Sequence, residues 1–302
     1  MGPRLQWPLP GEVTCALASE VNERLHRLFC ASMEFAKWAR RAELLVWTLG
    51  TVVVGASFVL FGDQPWTTYL PIVGLLAVVG GAALRYTTRR HRSYGETCKR
   101  LSIRAYALDD APPAKATSDV FDGAPWGTRL VARRMSPSSI DAYYEATRPV
   151  GMSRMVEMYG AAAYFSARLL GLHSRCLLFG SAATVLVALC GFYVVGVTPN
   201  PGEAVKVGKL ILSLLVGGIG LLFFERGIDA FGASKAIRVV EDKLLTLPLD
   251  APPFEEVWAL TRDYDSELRA SPLIPTVWYR LRRDLLNRGW AERRRVWAEV
   301  RR

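Results

Sequence analysis

The chain has few of the residues that carry out chemistry. Its three histidines, His26, His91 and His173, are scattered over 302 residues without an HExxH or HxxxH spacing, so no paired-imidazole metal site is offered on one helix face. Five cysteines, an odd number with no CxxC, exclude a disulfide framework and a thiolate metal site. Cys30, Cys98 and Cys190 have no histidine at a suggestive spacing. A GxSxG elbow, a P-loop and a GxGxxG following a strand are all missing. Asp109-Asp110 precedes the APPA turn and reads as a solvated cap. Asp263 and Asp265 stand among Arg262 and Arg269 and read as structural pairs on a polar face. No catalytic residue, metal or cofactor is assigned, and the expectation is a protein that is not an enzyme. The N-terminus, MGPRLQWPLPGE, lacks the apolar core of a signal peptide. Targeting is therefore expected to depend on the first apolar run.

Lysine is also scarce. Only seven of the 38 basic residues are lysine, which leaves 31 arginines and a formal charge of +10. Arginine grips phosphates through a planar bidentate fork, although GC-rich coding also raises its use. Charge is missing most conspicuously from four long runs. Residues 44–62, 64–84 and 176–202 are uncharged over 19, 21 and 27 positions, and residues 210–224 over 15. A bilayer core needs about 20 helical residues. The fourth run covers only about 22 Å, and it spans if Lys206 and Lys209 snorkel to the interface. With 51% apolar residues and 22% charged ones, the chain separates the two kinds along its length.

The connectors are short: Asp63-Gln64-Pro65 between the first two runs, and TPNPGE at 198–203 between the last two. The runs therefore pair as two hairpins, and every long polar segment falls on one side. That side holds most of the arginine near the runs, including Arg40, Arg85, Arg175 and Arg226, whereas the other holds Asp63, Glu203, Lys206 and Lys209. The positive-inside rule places both termini in the cytoplasm. The fold class expected is an all-α membrane protein. Its four transmembrane helices extend into a cytoplasmic helical bundle. The segments are 1–43 (an N-terminal amphipathic helix), 44–84 (the first hairpin), 85–175 (a cytoplasmic helical region with a loop at 109–136), 176–225 (the second hairpin) and 226–302 (basic C-terminal helices).

Helical spacing supports the polar segments as helices. Leu17, Val21, Leu25 and Leu28 run toward the first span, and Met152, Met155, Val156 and Tyr159 run into the third. Residues 85–108 continue the second span until DDAPPA breaks it. Residues 121–128 read as loop, and Ser136-Pro137 opens a short helix with Ile140, Tyr143 and Tyr144. The fourth span continues to about residue 245, and further helices start near Phe254 and at Pro275.

The spans themselves are rich in small residues. Ser213, Gly217 and Gly220 share one face of the fourth, Gly180, Thr184 and Ala188 one face of the third, and Gly74, Ala77 and Gly81 one face of the second. Such faces let helices approach closely in lipid, within one chain or between copies. The alternative is that they border a narrow aqueous path in a homo-oligomer, since four spans alone hardly enclose a channel. No Asp, Glu, Lys, Arg or His interrupts the spans, which argues against a coupled transporter.

The C-terminal residues 275–302 hold nine arginines against Asp284, Glu292 and Glu299, with Trp278, Trp290 and Trp297 interleaved. Three readings stand: a solvated helix sealing the bundle, a helix on anionic lipid headgroups, and a site for a phosphate-bearing ligand at Trp278, Tyr279, Arg280, Arg282 and Arg283. The stretch TRDYDSELRASPLIPTVWYRLRRD (261–284) resembles the C-terminal signature of the SMODS-associated four-transmembrane family of pore-forming effectors, with Asp263, Glu267, Arg269, Pro272, Pro275, Trp278, Tyr279 and Arg283 as the matching residues. Residues 22–43 resemble the helix before that family's first span, and residues 141–169 its middle segment. Thr276-Val277 departs from the acidic residue expected after the proline.

The resemblance implies a role in bacterial CBASS-type antiviral defence. In such systems a cyclic oligonucleotide signals infection, and the membrane effector oligomerises and permeabilises the inner membrane, which aborts the infection. The partners it implies are the lipid bilayer, further copies of the chain and a cyclic oligonucleotide; no DNA binding is expected. Two alternatives remain from the residues alone: a constitutive or ligand-gated oligomeric ion channel, and a membrane enzyme acting on a lipid phosphate.

Overall fold

The computed structural model describes residues 16–60, 70–108, 114–134, 148, 150–197, 202, 208, 219–248 and 251–300. Among them are eight α-helices and no strand. They are α1 (Ala16–Leu60), α2 (Leu70–Leu108), α3 (Ala114–Asp122), α4 (Trp126–Arg134), α5 (Met152–Val197), α6 (Ile219–Thr246), α7 (Phe254–Ala270) and α8 (Thr276–Val300). The chain is all-helical over these residues, as expected from its periodicity.

Three helices are unusually long, at 45, 39 and 46 residues for α1, α2 and α5. Nothing in their interiors stops them. Proline is absent from α1 and α5, and the proline of α2, Pro71, sits in the first turn, where its missing N–H costs no hydrogen bond. Proline does end or start the shorter helices. Pro272 and Pro275 separate α7 from α8, and the Ser271 N–H closes α7 on the Glu267 carbonyl at 3.0 Å. Glu255 and Glu256 in the first turn of α7 and Arg269 in its last match the helix dipole.

The helix starts expected near Phe254 and at Pro275 are found at Phe254 and Thr276, and the stripe of Met152, Met155, Val156 and Tyr159 lies on α5. The loop expected at 109–136 is corrected: α3 and α4 occupy most of it, and among its described residues only Gly123 to Pro125 break the helix. Tertiary contacts override the Gly and Pro turn signals here. Val120 and Phe121 of α3 pack on a core of Leu25, Leu28, Phe29, Cys98 and Leu101. Arg24 covers the Phe121 ring at 4.0 Å. Arg129 of α4 donates to the Ala124 and Asp122 carbonyls at 2.8 and 2.7 Å, which satisfies the end of α3. The short helix expected from Ser136 and the connector at 198–203 lie outside the described residues.

The chain divides into two compact units. Unit 1 comprises residues 1–36, 89–171 and 232–302. Its core is well filled, with Tyr159, Tyr264, Met155, Met158, Leu170, Ile237 and Leu244 all buried, and the Tyr159 and Tyr264 rings meet edge to face at 5.7 Å. Unit 2 comprises residues 37–88 and 172–231. Along its uncharged stretches the surface is apolar, with Leu49, Leu75, Leu76, Phe179, Val187 and Leu189 all more than half exposed, whereas Arg41, Arg175, Glu225 and Asp229 are exposed beyond those stretches. Among the described residues one helical stretch, Met152–Val187, is long and apolar enough to cross a membrane, and only 28% of its most apolar 18 residues are buried. A core helix of a soluble protein would be mostly buried.

Candidate functional site

In unit 2 the charges that bound the apolar runs in the sequence come together. Glu43, which precedes the first run, is 1% exposed. Its Oε1 accepts from Arg85 Nε at 3.1 Å and from Arg226 Nη2. Arg85 follows the second run and Arg226 lies just past the fourth. His173, just before the third, accepts at Nε2 from Arg40 Nη2 at 3.2 Å. Because a guanidinium can only donate, this fixes the proton of a neutral ring on Nδ1. A buried carboxylate thus ties α1, α2 and α6, and an arginine of α1 holds the imidazole of α5. These contacts gather the residues that flank the four runs into one collar, with charge-assisted bonds around the buried carboxylate.

On the apolar side of this collar, α5 and α6 approach closely through small residues. Ser174 Oγ donates to the Gly227 carbonyl at 2.8 Å, and seven residues on Ser181 Oγ donates to the Gly220 carbonyl at 3.0 Å. The two bonds advance by seven residues in opposite chain directions, which fixes an antiparallel register. A Cβ on Gly227 would lie 2.8 Å from Leu178 Cδ2 and 3.4 Å from the Leu178 nitrogen. One on Gly220 would meet Thr184 Cγ2 at 3.4 Å, and one on Gly180 would meet the Phe223 ring at 3.1 Å. The face of Gly180 and Thr184 is thus used against α6 of the same chain, with Gly220 opposite. Ser213 and Gly217 lie outside the described residues. Ser174, Ser181 and Gly227 were not singled out from sequence; Gly227 follows Glu225-Arg226 and so escapes a search of uncharged runs. In the first pair of helices Ala77 faces Gly50 and Gly81 faces the Trp47 indole, whereas a Cβ on Gly74 would meet nothing within 4 Å.

In unit 1, α8 uses its arginines in two ways. Toward its C-terminal end, Arg293 Nε lies 2.9 Å from the buried Glu241 carboxylate, which Arg168 also engages at 2.9 Å. Arg294 lies 3.5 Å from the buried Glu157. Trp290 packs on Tyr164 with ring centroids 5.5 Å apart. This half seals the bundle. Toward the N-terminal end, Arg280, Arg282 and Arg283 are exposed, and among the described residues no carboxylate pairs with them. Tyr279 is half-buried against Phe165, at 6.5 Å between centroids, and Trp278 is half-buried beside it. The five residues expected at a phosphate-bearing ligand therefore share a single helical stretch, with the guanidiniums outward.

The polar face expected for Asp263 and Asp265 is corrected. Asp263 is exposed, but Asp265 is buried, 3.8 Å from Arg100 of α2, and its Oδ2 accepts no hydrogen bond among the described residues. The two lie two residues apart, about 200° around the helix, so they cannot share a face. Burial pushes the Asp265 carboxyl up to about 7, against the pull of Lys99 and Arg100. Arg92 is buried and donates to the Leu268 and Ser271 carbonyls and to Ser271 Oγ, capping the end of α7. Burial, helped by Arg90, lowers His91 to about 4. Its neutral ring bonds Thr128 at 2.9 Å, and Thr128 also bonds Ser32 at 2.9 Å.

Set against known protein families, characterised proteins and solved structures, the chain matches none of them.

Proposed function

We propose that this protein is a four-span effector of the bacterial inner membrane, with both termini in the cytoplasm. It oligomerises and permeabilises the membrane when a cyclic oligonucleotide signals phage infection. The observation that carries the reading is the outer surface of unit 2. Its large exposed side chains are aliphatic and aromatic, over stretches of α1, α2 and α5 that contain no charged residue, and an ionic collar flanks them. An aqueous surface rarely carries apolar patches beyond a few hundred Å², whereas a lipid-facing one requires them.

The small-residue contact of α5 with α6 supports a rigid hairpin as the moving part. Oligomer contacts then fall to the exposed faces rather than to Gly180, Thr184 and Gly220. The signal's phosphates are read by the outward guanidiniums of Arg280, Arg282 and Arg283, with Trp278 and Tyr279 beside them. Ligand must bind the open assembly more tightly than the resting form, since equal affinity would shift no population.

The test is made in cells that co-express the chain with a cyclic-oligonucleotide synthase, followed by a membrane-potential dye and propidium uptake. Depolarisation and uptake are expected only when the synthase is active, and to be lost in the Arg280→Gln/Arg282→Gln/Arg283→Gln variant. Constitutive depolarisation without synthase would favour a plain channel, and an unchanged potential under an active synthase would refute the proposal.

A further inference from the structure

The N-terminal half of α8 carries more than guanidiniums. Val277, Leu281 and Leu285 are 49%, 68% and 55% exposed. At spacings of four they form one row along the helix. Arg288 continues that row, and Arg280 and Arg282 lie on its two flanks. The opposite face is the buried one, with Leu286 and Trp290 at 4% and 8% exposed and Tyr279 half-buried. The core of unit 1 therefore makes no use of the row. Between residues 277 and 288 the helix holds four arginines and one acid, Asp284.

We infer that this row is an interfacial docking surface for an anionic phospholipid bilayer, with Leu281 and its neighbours entering the headgroup–acyl boundary and Arg280, Arg282 and Arg288 on lipid phosphates. Charge complementarity selects this occupant. A second copy of the same face would set three guanidiniums against three, with Asp284 of each copy as the one acid on that face to offset them. A nucleotide's phosphates would satisfy the arginines but leave the aliphatic row in water. A bilayer satisfies both, because arginine stems lie along apolar surface while their heads stay at the phosphates. Each arginine near such a surface is worth about a fivefold gain in partition. The inference rests on reading the chain as a membrane protein; Arg280 and Arg282 then rest on lipid phosphates in the absence of signal, and the proposed nucleotide competes with lipid for them.

The full chain carrying Leu281→Cys, labelled with an environment-sensitive fluorophore, is reconstituted into vesicles of phosphatidylcholine alone or with 30% brominated phosphatidylglycerol, the native chain labelled in parallel as background. A blue shift with bromine quenching in the anionic vesicles is expected. It should weaken on the order of 100-fold in lipid dependence when Arg280, Arg282 and Arg288 become Gln, and fall with added salt. A solvent-like spectrum in anionic vesicles overturns the inference. So does a blue shift without bromine quenching, which means a second copy covers the row, and so does equal quenching by brominated phosphatidylcholine. Leu281→Glu, at an exposed position, should keep the native melting curve in detergent while losing docking of a label placed at Val277→Cys. Alkaline extraction of the same vesicles reports spanning separately, and dye leakage reports permeabilisation, so loss of either without loss of quenching falls on the proposed function alone.

Discussion

Replacing Glu43 by Gln tests whether the ionic collar holds unit 2 together. The carboxylate is 1% exposed and touches two guanidiniums, one 29% exposed and the other 13%. At an effective dielectric of about 20, each contact is worth roughly 4–5 kcal/mol of gross attraction. Desolvating three ions offsets most of this. Removing one member of a buried set leaves the others uncompensated, which costs about 3–5 kcal/mol. Arg85 is open enough for water to take over part of the lost interaction, so about 3 kcal/mol is expected for Glu43→Gln. Arg226→Gln should cost about 2 kcal/mol, and Arg85→Gln about 1. The combined Glu43→Leu, Arg85→Met and Arg226→Met variant should recover most of the loss, since an apolar set carries no uncompensated charge. Unfolding by denaturing detergent in mixed micelles, followed by circular dichroism, gives all four values. A Glu43→Gln chain within about 0.5 kcal/mol of native, or an Arg85→Gln chain less stable than Glu43→Gln, would refute the reasoning.

Three other outcomes follow from the same contacts. Folded Asp265 holds its proton up to about pH 7, whereas an unfolded aspartate loses it near 3.9. Between those values unfolding releases a proton, so stability should fall as pH rises from about 4 to about 7 and then level off; Asp265→Asn should flatten a urea-denaturation series across that window, and a native profile that rises instead contradicts the burial argument. Arg92→Leu leaves the Leu268 and Ser271 carbonyls without their donor and should cost about 3 kcal/mol in chemical denaturation, with Arg92→Lys only a partial rescue. Gly227→Ala places a methyl 2.8 Å from Leu178 and Gly220→Ala places one 3.4 Å from Thr184; the first should lower the melting temperature in detergent and the second should not, and the reverse order would mean that the α5–α6 register is wrong.

Much of the helical frame was legible in the sequence because the signals are local. Pro272 and Pro275 punctuate α7 and α8, and the absence of interior proline lets α1 and α5 run unbroken. The small faces were legible in part: Gly180, Thr184 and Gly220 stand inside uncharged runs, but Gly227 does not. Helices α3 and α4 were illegible because their local residues favour turns. Only the burial of Val120 and Phe121 and the Arg129 bonds, set by the tertiary fold, reverse that preference. The collar was illegible for another reason. Arg85 and Arg226 stand 42 and 183 residues from Glu43, and no spacing rule pairs residues so distant. The same holds for Asp265 and Arg100, whose pairing moves an apparent surface acid into the core. On α8 the sequence offers seven arginines as one group. Their division into sealing and outward-facing sets depends on the carboxylates of Glu157 and Glu241, supplied by α5 and α6.

The most direct test of the account is efflux of an entrapped dye from vesicles of bacterial inner-membrane lipid containing the purified chain, with and without a panel of cyclic oligonucleotides. The account predicts tight vesicles until one member of the panel is added, then release that rises more steeply than linearly with the number of copies per vesicle. Vesicles that stay sealed under every nucleotide, or that leak equally without any, would contradict it.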